Sequence, residues 1–184
     1  MYNLTKIEHW LVQDNEDADI CELLSKKGFE VNMRLYNENK EFRKTIRRMI
    51  KYMKNSITGA TANFNACGMS GHNCGLPLNI IVVVKNFYSD NKIYFTLINP
   101  AILESATETH TKREGCGSVF GCRSGKSYTV TRPTCVKVSY YDYRGKHHIK
   151  TFTADLAEWI QHEVDHNNGI TIKDIGELNI GFSL

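Results

Sequence analysis

His162-Glu163-Val164-Asp165-His166 decides how this chain reads. In a helix, residues four apart stand one above the other, so both imidazoles can reach a single metal ion. Glu163 then lies beside them, near enough to exchange a proton with water at the metal. The flanking residues predict the helix. Leu156, Trp159, Ile160 and Val164 keep apolar groups at helical spacing, and Thr153 is positioned as an N-cap. The competing reading is a surface helix that carries two histidines and no metal.

A hydrolytic metal site needs a third protein ligand and an open position. A downstream acid is one source, but only 18 residues follow His166, with Asp174 and Glu177 as the acids among them. A third histidine in an HExxHxxGxxH extension is another. That pattern runs as far as Gly169 and fails at Ile172. Upstream, Cys116 in Glu114-Gly115-Cys116-Gly117-Ser118 is the best candidate, because its flanking glycines let backbone approach a metal or substrate closely. A thiolate with two imidazoles gives a tetrahedral site with one vacancy.

With these residues in view, the sequence resembles the peptide deformylase family. Glu114-Gly115-Cys116-Gly117-Ser118 is similar to that family's EGCLS motif. About 45 residues later, Gln161-His162-Glu163-Val164-Asp165-His166-Asn167-Asn168-Gly169 is similar to its QHExDHLxG motif. Val130 to Val138 and Asp142 to Lys146 resemble the strand–turn–strand stretch between them, so the likeness covers roughly residues 38 to 170.

The resemblance implies an α+β fold, with antiparallel sheets around a central metal-binding HExxH helix, and one domain over residues 1–184. It implies removal of the N-terminal formyl group from nascent peptides. Cys116, His162 and His166 would hold one divalent metal, Fe2+ or Zn2+, with Ni2+ or Co2+ also acceptable to such ligands. Glu163 would act as general base and acid, and the Gly117 N–H would steady the oxyanion. Gly75, Leu76 and Gly115 would bind an extended peptide, and Glu114 with Arg132 would form an ion pair that braces the motif loop.

Two departures from the family pattern bear on function. The first motif, GxGLAAxQ, is read at Cys74-Gly75-Leu76-Pro77-Leu78-Asn79-Ile80. Its glutamine donates to the reacting carbonyl, and the position falls on Ile80 by direct counting or on Asn79 with a one-residue gap. One helical turn before His162, the family lines a methionine pocket with aliphatic or small residues, whereas Glu158 and Trp159 stand here. Two further readings therefore stay open: a deformylase-fold hydrolase with changed N-terminal specificity, and a catalytically silent metal-binding relative.

Composition agrees with a single globular unit. The chain has 184 residues, 41% of them hydrophobic and 23% charged, enough to bury a core. A net charge of +3 is too small to argue for DNA. No run approaches the ~18 apolar residues that would span a membrane. Six cysteines without an export signal predict reduced thiols in a cytoplasm. Cys67, His72 and Cys74 lack the spacing of a second metal cluster.

Elsewhere the periodicity predicts helices over 18–27 and 38–54, an acidic loop over 14–19 and a loop from Ile57 to Gly75. The second helix carries an apolar stripe of Phe42, Ile46, Met49, Ile50 and Met53. Its basic faces suit solvent or a weak contact with the ribosome. Strands are predicted at Ile80 to Val84, from Ile93 to a stop at Asn99-Pro100, at Val136 to Tyr140 and at Ile149 to Thr153, with a strand or irregular tail over 170–184.

Overall fold

The structure, a computed structural model, describes residues 25–57, 67–119 and 127–179. The expected acidic loop over 14–19, most of the helix expected over 18–27, Cys21 and Cys122 lie outside them. Within the described part of that helix, Ser25 and Lys26 form a turn and a bend.

Two sheets and two long helices frame the fold. The first sheet has five antiparallel strands in the order β1 (Gly68–Ser70), β2 (Ile80–Lys85), β3 (Ile93–Ser105), β6 (Cys135–Tyr141) and β7 (His147–Thr153). The second joins β4 (Thr109–Glu114), β5 (Ser127–Pro133) and β8 (Glu177–Asn179), also antiparallel. Helices α1 (Met33–Glu38) and α2 (Lys40–Ile57) precede the sheets, α3 (Ala154–Asn167) follows β7, and α4 (Ile172–Ile175) is a single turn.

Strand β2 explains why two cores exist. Its run Ile80-Ile81-Val82-Val83-Val84 is fully buried, so successive side chains feed opposite faces of the sheet. Ile80, Val82 and Val84 pack with Ile46, Met49, Ile50 and Met53 of α2. Ile81 and Val83 pack with Ala157, Ile160 and Val164 of α3, which anchors the helix that carries both site histidines. Truncating Ile160, which has no exposed surface, to alanine costs about 2–5 kcal/mol.

Several boundaries differ from expectation for identifiable reasons. The helix expected over 38–54 begins at Lys40, because Asn39 caps it by accepting from the Phe42 N–H at 2.9 Å. It runs on to Ile57, whose side chain belongs to the core. Asn99-Pro100 does not stop β3. Asn99 adopts φ +51, and the pairing with β6 slips there by one residue, so the strand bends through a bulge and changes partners. The Asn99 side chain ties this bend to Val31 through two bonds of 2.8 Å. The stretch read as a loop from Ile57 to Gly75 holds β1 and a 3-10 turn, Gly71–Cys74, while 58–66 lie outside the described residues. The tail forms α4 and β8, with 180–184 outside. Thr153 does occupy the N-cap position of α3, but its side chain makes no capping bond.

Candidate metal centre

Helix geometry stacks His162 and His166 on one face of α3, and the loop after β4 brings Cys116 to them. The three ligand atoms lie within 4.8 Å of one another, and Cys116 Sγ is 3.2 Å from His166 Nε2. Among the described residues, this is the one His/Cys/carboxylate group close enough to hold a metal. Cys67, His72 and Cys74 do not form another. Burial, with a smaller push from the Glu163 charge, takes the Cys74 thiol up to about 12, and its Sγ faces Met69 Sδ at 3.9 Å.

The surroundings orient each ligand. His162 Nδ1 lies 2.9 Å from Glu114 Oε2, which leaves Nε2 to face the other two donors. Glu114 in turn accepts from Arg132, Nε to Oε1 at 2.5 Å and Nη2 to Oε2 at 3.0 Å. A second carboxylate, Asp165, takes the remaining arm of Arg132 at 2.7 Å. The expected Glu114–Arg132 pair is thus a buried network that links β4, β5 and α3.

Electrostatics follow from this packing. Burial pushes the Cys116 thiol up, but hydrogen bonds with His162 and His166 outweigh it and hold the sulfur well below the ordinary thiol range. Burial likewise opposes ionisation of Glu114, yet His162 and Arg132 bring it down to about 2. The same partners, Cys116 and Glu114, raise His162 well above the usual imidazole value against its own burial. A thiolate-prone sulfur with two imidazoles is a donor set that suits a divalent ion with one position left open.

Glu163, next in the helix to His162, is buried. Burial raises its carboxyl above the ordinary range despite the nearby histidine charges, and its Oε2 has no protein partner. Strand β1 passes so close that a Cβ on Gly68 would sit 2.8 Å from Glu163 Cγ and Oε1.

The remaining predicted positions divide. A Cβ built on Gly115 or Gly117 would meet nothing within 4 Å, so both line open space beside Cys116. Glu158 is buried and faces β4, whereas Trp159 packs half-buried against the α3-side core. Gly75 takes φ +71 to close the 3-10 turn, and its N–H is engaged with Gly71 and His72 carbonyls. The Leu76 N–H bonds Gly71 O, and its side chain joins the α2-side core. Neither N–H is left to meet a peptide.

Ile80 is pure core. Asn79 points its Oδ1 at the segment around Gly28 and has no partner there. The carboxamide that does join the Cys116 loop is Asn73, whose Nδ2 donates to Ser118 Oγ at 2.5 Å. Sequence reasoning passed over this residue. The signal was present: Ala66-Cys67-Gly68-Met69-Ser70-Gly71-His72-Asn73 follows GxGLAAxQ with Met69 for leucine, Ser70 and Gly71 for the small pair, and an amide at the end. The literal Gly-Leu pair at 75–76 obscured it.

A helix-borne histidine pair, a cysteine from a glycine-flanked loop and a buried carboxylate define a mononuclear metallohydrolase type of site. The family model for polypeptide deformylase matches residues 10–177, and the chain belongs to that family. It is similar to the peptide deformylase of Borreliella burgdorferi, 31% identical over 141 residues that cover 77% of this chain and 76% of the relative. The peptide deformylase of Prochlorococcus marinus (strain NATL1A) is 35% identical over 109 residues, 58% of this chain and 51% of that protein. The chain thus spans about half the length of the Prochlorococcus relatives it matches. In fold it resembles a Met-Ala-Ser-bound class I type b peptide deformylase from Acinetobacter baumannii, with TM-score 0.70 and 24% identity over 89% of this chain and 96% of that one. No described helix is long and apolar enough to cross a membrane.

Proposed function

We propose that this protein, acting as one domain in a cytoplasm, hydrolyses the N-terminal formyl group of nascent peptides to formate and a free amine. The observation that carries the reading is the convergence of Cys116, His162 and His166 within 4.8 Å beside buried Glu163. A divalent metal held by those three residues, Fe2+ or Zn2+ in the first instance, supplies a Lewis acid that polarises a carbonyl and activates water near neutral pH. Glu163 takes the proton of the attacking water and passes it to the departing nitrogen. The Gly117 N–H and the Asn73 carboxamide donate to the developing oxyanion. A carboxamide nitrogen carries two N–H bonds, and the contact with Ser118 uses one. Asn73 takes this role in preference to Asn79.

Strands β1 and β4 each pair on one side only among the described residues, which suits an extended peptide laid alongside them. Gly115 borders that space. Glu114 and Arg132 brace it. The basic face of α2 would make a weak ribosome contact, although several of its charges have structural partners: Arg43 bonds the carbonyls of Tyr36 and Asn37, and Lys54 covers the Tyr94 and Tyr143 rings.

Anaerobic purification, metal analysis and formate release from formyl-peptides test the reading. Turnover that requires stoichiometric metal supports it. Stoichiometric metal without turnover on any formyl-peptide would leave a silent metal-binding relative.

A further inference from the structure

The two histidine ligands are supported unequally. His162 Nδ1 meets the Glu114 carboxylate, whereas His166 Nδ1 is buried and has no partner among the described residues. A metal-bound imidazole nearly always passes its second N–H to an acceptor, because that bond fixes the tautomer and the orientation of the ring. His166 turns Nε2 towards Cys116 Sγ, so Nδ1 carries the proton on the ring edge that faces away from the cysteine.

Other buried polar atoms without partners among the described residues collect behind the metal centre. They are His72 Nδ1, Asn79 Oδ1 and both polar side-chain atoms of Asn167. The 3-10 turn that carries His72 packs against α3, and the segment 26–29 closes over the junction. The Gly28 N–H donates to Asn167 O at 2.7 Å. A Cβ on Gly28 would sit 2.6 Å from Asn79 Oδ1, 2.9 Å from His72 Cε1 and 3.3 Å from Asn167 O. Glycine at 28 thus lets backbone cover the point where these three residues meet.

The donors and acceptors of this cluster are complementary. His72 Nε2 lies 2.9 Å from the Lys26 carbonyl, which only accepts, so Nε2 holds the ring proton. Burial lowers that imidazole below its ordinary range against the pull of the Lys26 carbonyl, and Nδ1 is left as an acceptor. His166 Nδ1–H and the Asn167 amide donate, while His72 Nδ1, Asn79 Oδ1 and Asn167 Oδ1 accept. Such a set suits one ordered water, which makes about three bonds when buried. Asn167 points the same way. It is 3% exposed and stands where the family motif QHExDHLxG has leucine. A buried carboxamide destabilises a fold unless it is hydrogen-bonded, and leucine would fill the space without that cost.

We propose, on the metal-centre reading above, that His72, Asn79 and Asn167 form a polar chamber that receives the His166 Nδ1–H through one ordered water. His72 is then a positioning residue for this ligand, as Glu114 is for His162. The chamber touches neither substrate nor metal. It acts by holding the His166 ring in the tautomer and orientation that a metal needs.

The test uses the full chain and needs no turnover. Zinc affinity is read by competition with a chelator, and ligand geometry by the visible absorption of the cobalt(II)-loaded protein. His72→Phe keeps a ring of similar size and removes the acceptor. Zinc should then bind about ten- to a hundredfold more weakly, and the cobalt bands should shift. His72→Gln, which offers an N–H to Lys26 and an oxygen to the chamber, should recover most of that loss. Asn167→Leu separates positioning from packing, because the metal-free melting temperature should hold or rise while zinc affinity falls. A merely structural cluster would lower both together, and that result overturns the proposal. Unchanged zinc affinity and cobalt spectrum in His72→Phe overturn it as well, and Asn167→Leu decides alone where His72→Phe does not fold. Both of these outcomes leave the metal centre intact. Failure of the unmodified protein to bind one zinc ion overturns the metal-centre reading itself, and this proposal with it.

Discussion

Asn73 Nδ2 lies 2.5 Å from Ser118 Oγ, and this contact ties the turn after β1 to the loop that carries Cys116. Asn73 Oδ1 is meanwhile held by the Ser70 N–H at 2.7 Å and the Ser70 hydroxyl at 2.9 Å, so the carboxamide cannot rotate freely. A fixed amide beside the cysteine loop is suited to an oxyanion. Asn73→Ala should lower kcat for formate release by about 10²- to 10³-fold while the metal content stays stoichiometric. Kinetics paired with elemental analysis check this. A loss of less than twofold would return the role to Asn79 or to backbone alone.

Glu163→Gln should separate metal binding from catalysis. The side chain keeps its shape and lies outside the Cys116–His162–His166 set, so the variant should load metal fully. Loss of the base should reduce kcat by about 10²- to 10⁴-fold. In the unmodified protein the base works ionised, and burial has raised its carboxyl above the ordinary 4.5. Activity should therefore fall as pH drops through a value above 4.5, and that acid limb should vanish from the residual activity of the variant.

The Glu114–Arg132 pair makes a separate prediction about stability. Glu114 titrates at about 2 when folded against an ordinary 4.5, and its side chain is 5% exposed. A carboxyl depressed by folding contributes stability that is complete above 4.5 and is lost as pH falls towards 2. The span between those values is worth about 3 kcal/mol, of which about 2 kcal/mol is gone by pH 3. Glu114→Gln should be destabilised at pH 7, because Arg132 keeps only Asp165, and should lose about 2 kcal/mol less than the unmodified protein between pH 7 and pH 3. Denaturant titration at the two pH values reads both quantities. Equal acid losses in the two proteins would remove Glu114 from the account.

What could be read from the sequence was set by how local the constraint is. The spacing of His162, Glu163 and His166 is a property of one helix, and the β2 run Ile80 to Val84 reveals its double burial through composition alone. The pairing of Cys116 with α3 came from the failure of the downstream candidates and from family resemblance, since no periodicity links positions 50 apart. Strand β3 was cut short because Pro100 cannot donate, and nothing local says that a bulge at Asn99 absorbs that loss. Asn73 was missed because the literal Gly75-Leu76 pair drew the first motif away from the stretch Ala66 to Asn73, and the fold then shows that this carboxamide meets the cysteine loop. The setting of Glu158 was half legible. Glu158 follows from helical offset, but His110 and Lys112 reach it from another sheet.

Gly68 should prove as sensitive as a residue that touches substrate. Its backbone is outside the left-handed region, so alanine is conformationally acceptable there and any effect must be steric. A Cβ would sit 2.8 Å from both Cγ and Oε1 of Glu163, whose side chain is itself packed in the interior and has little room to retreat. Relief has to come from a shift of the carboxylate or of β1, at about 1–3 kcal/mol. Gly68→Ala should thus lower kcat at least tenfold by displacing the base, and lower the melting temperature by several degrees. Gly115→Ala is the comparison, because nothing lies within 4 Å of its added carbon and its melting temperature should be unchanged. If Gly68→Ala retains full turnover, Glu163 has more freedom than its burial indicates, and the close approach of β1 does not hold the base in position.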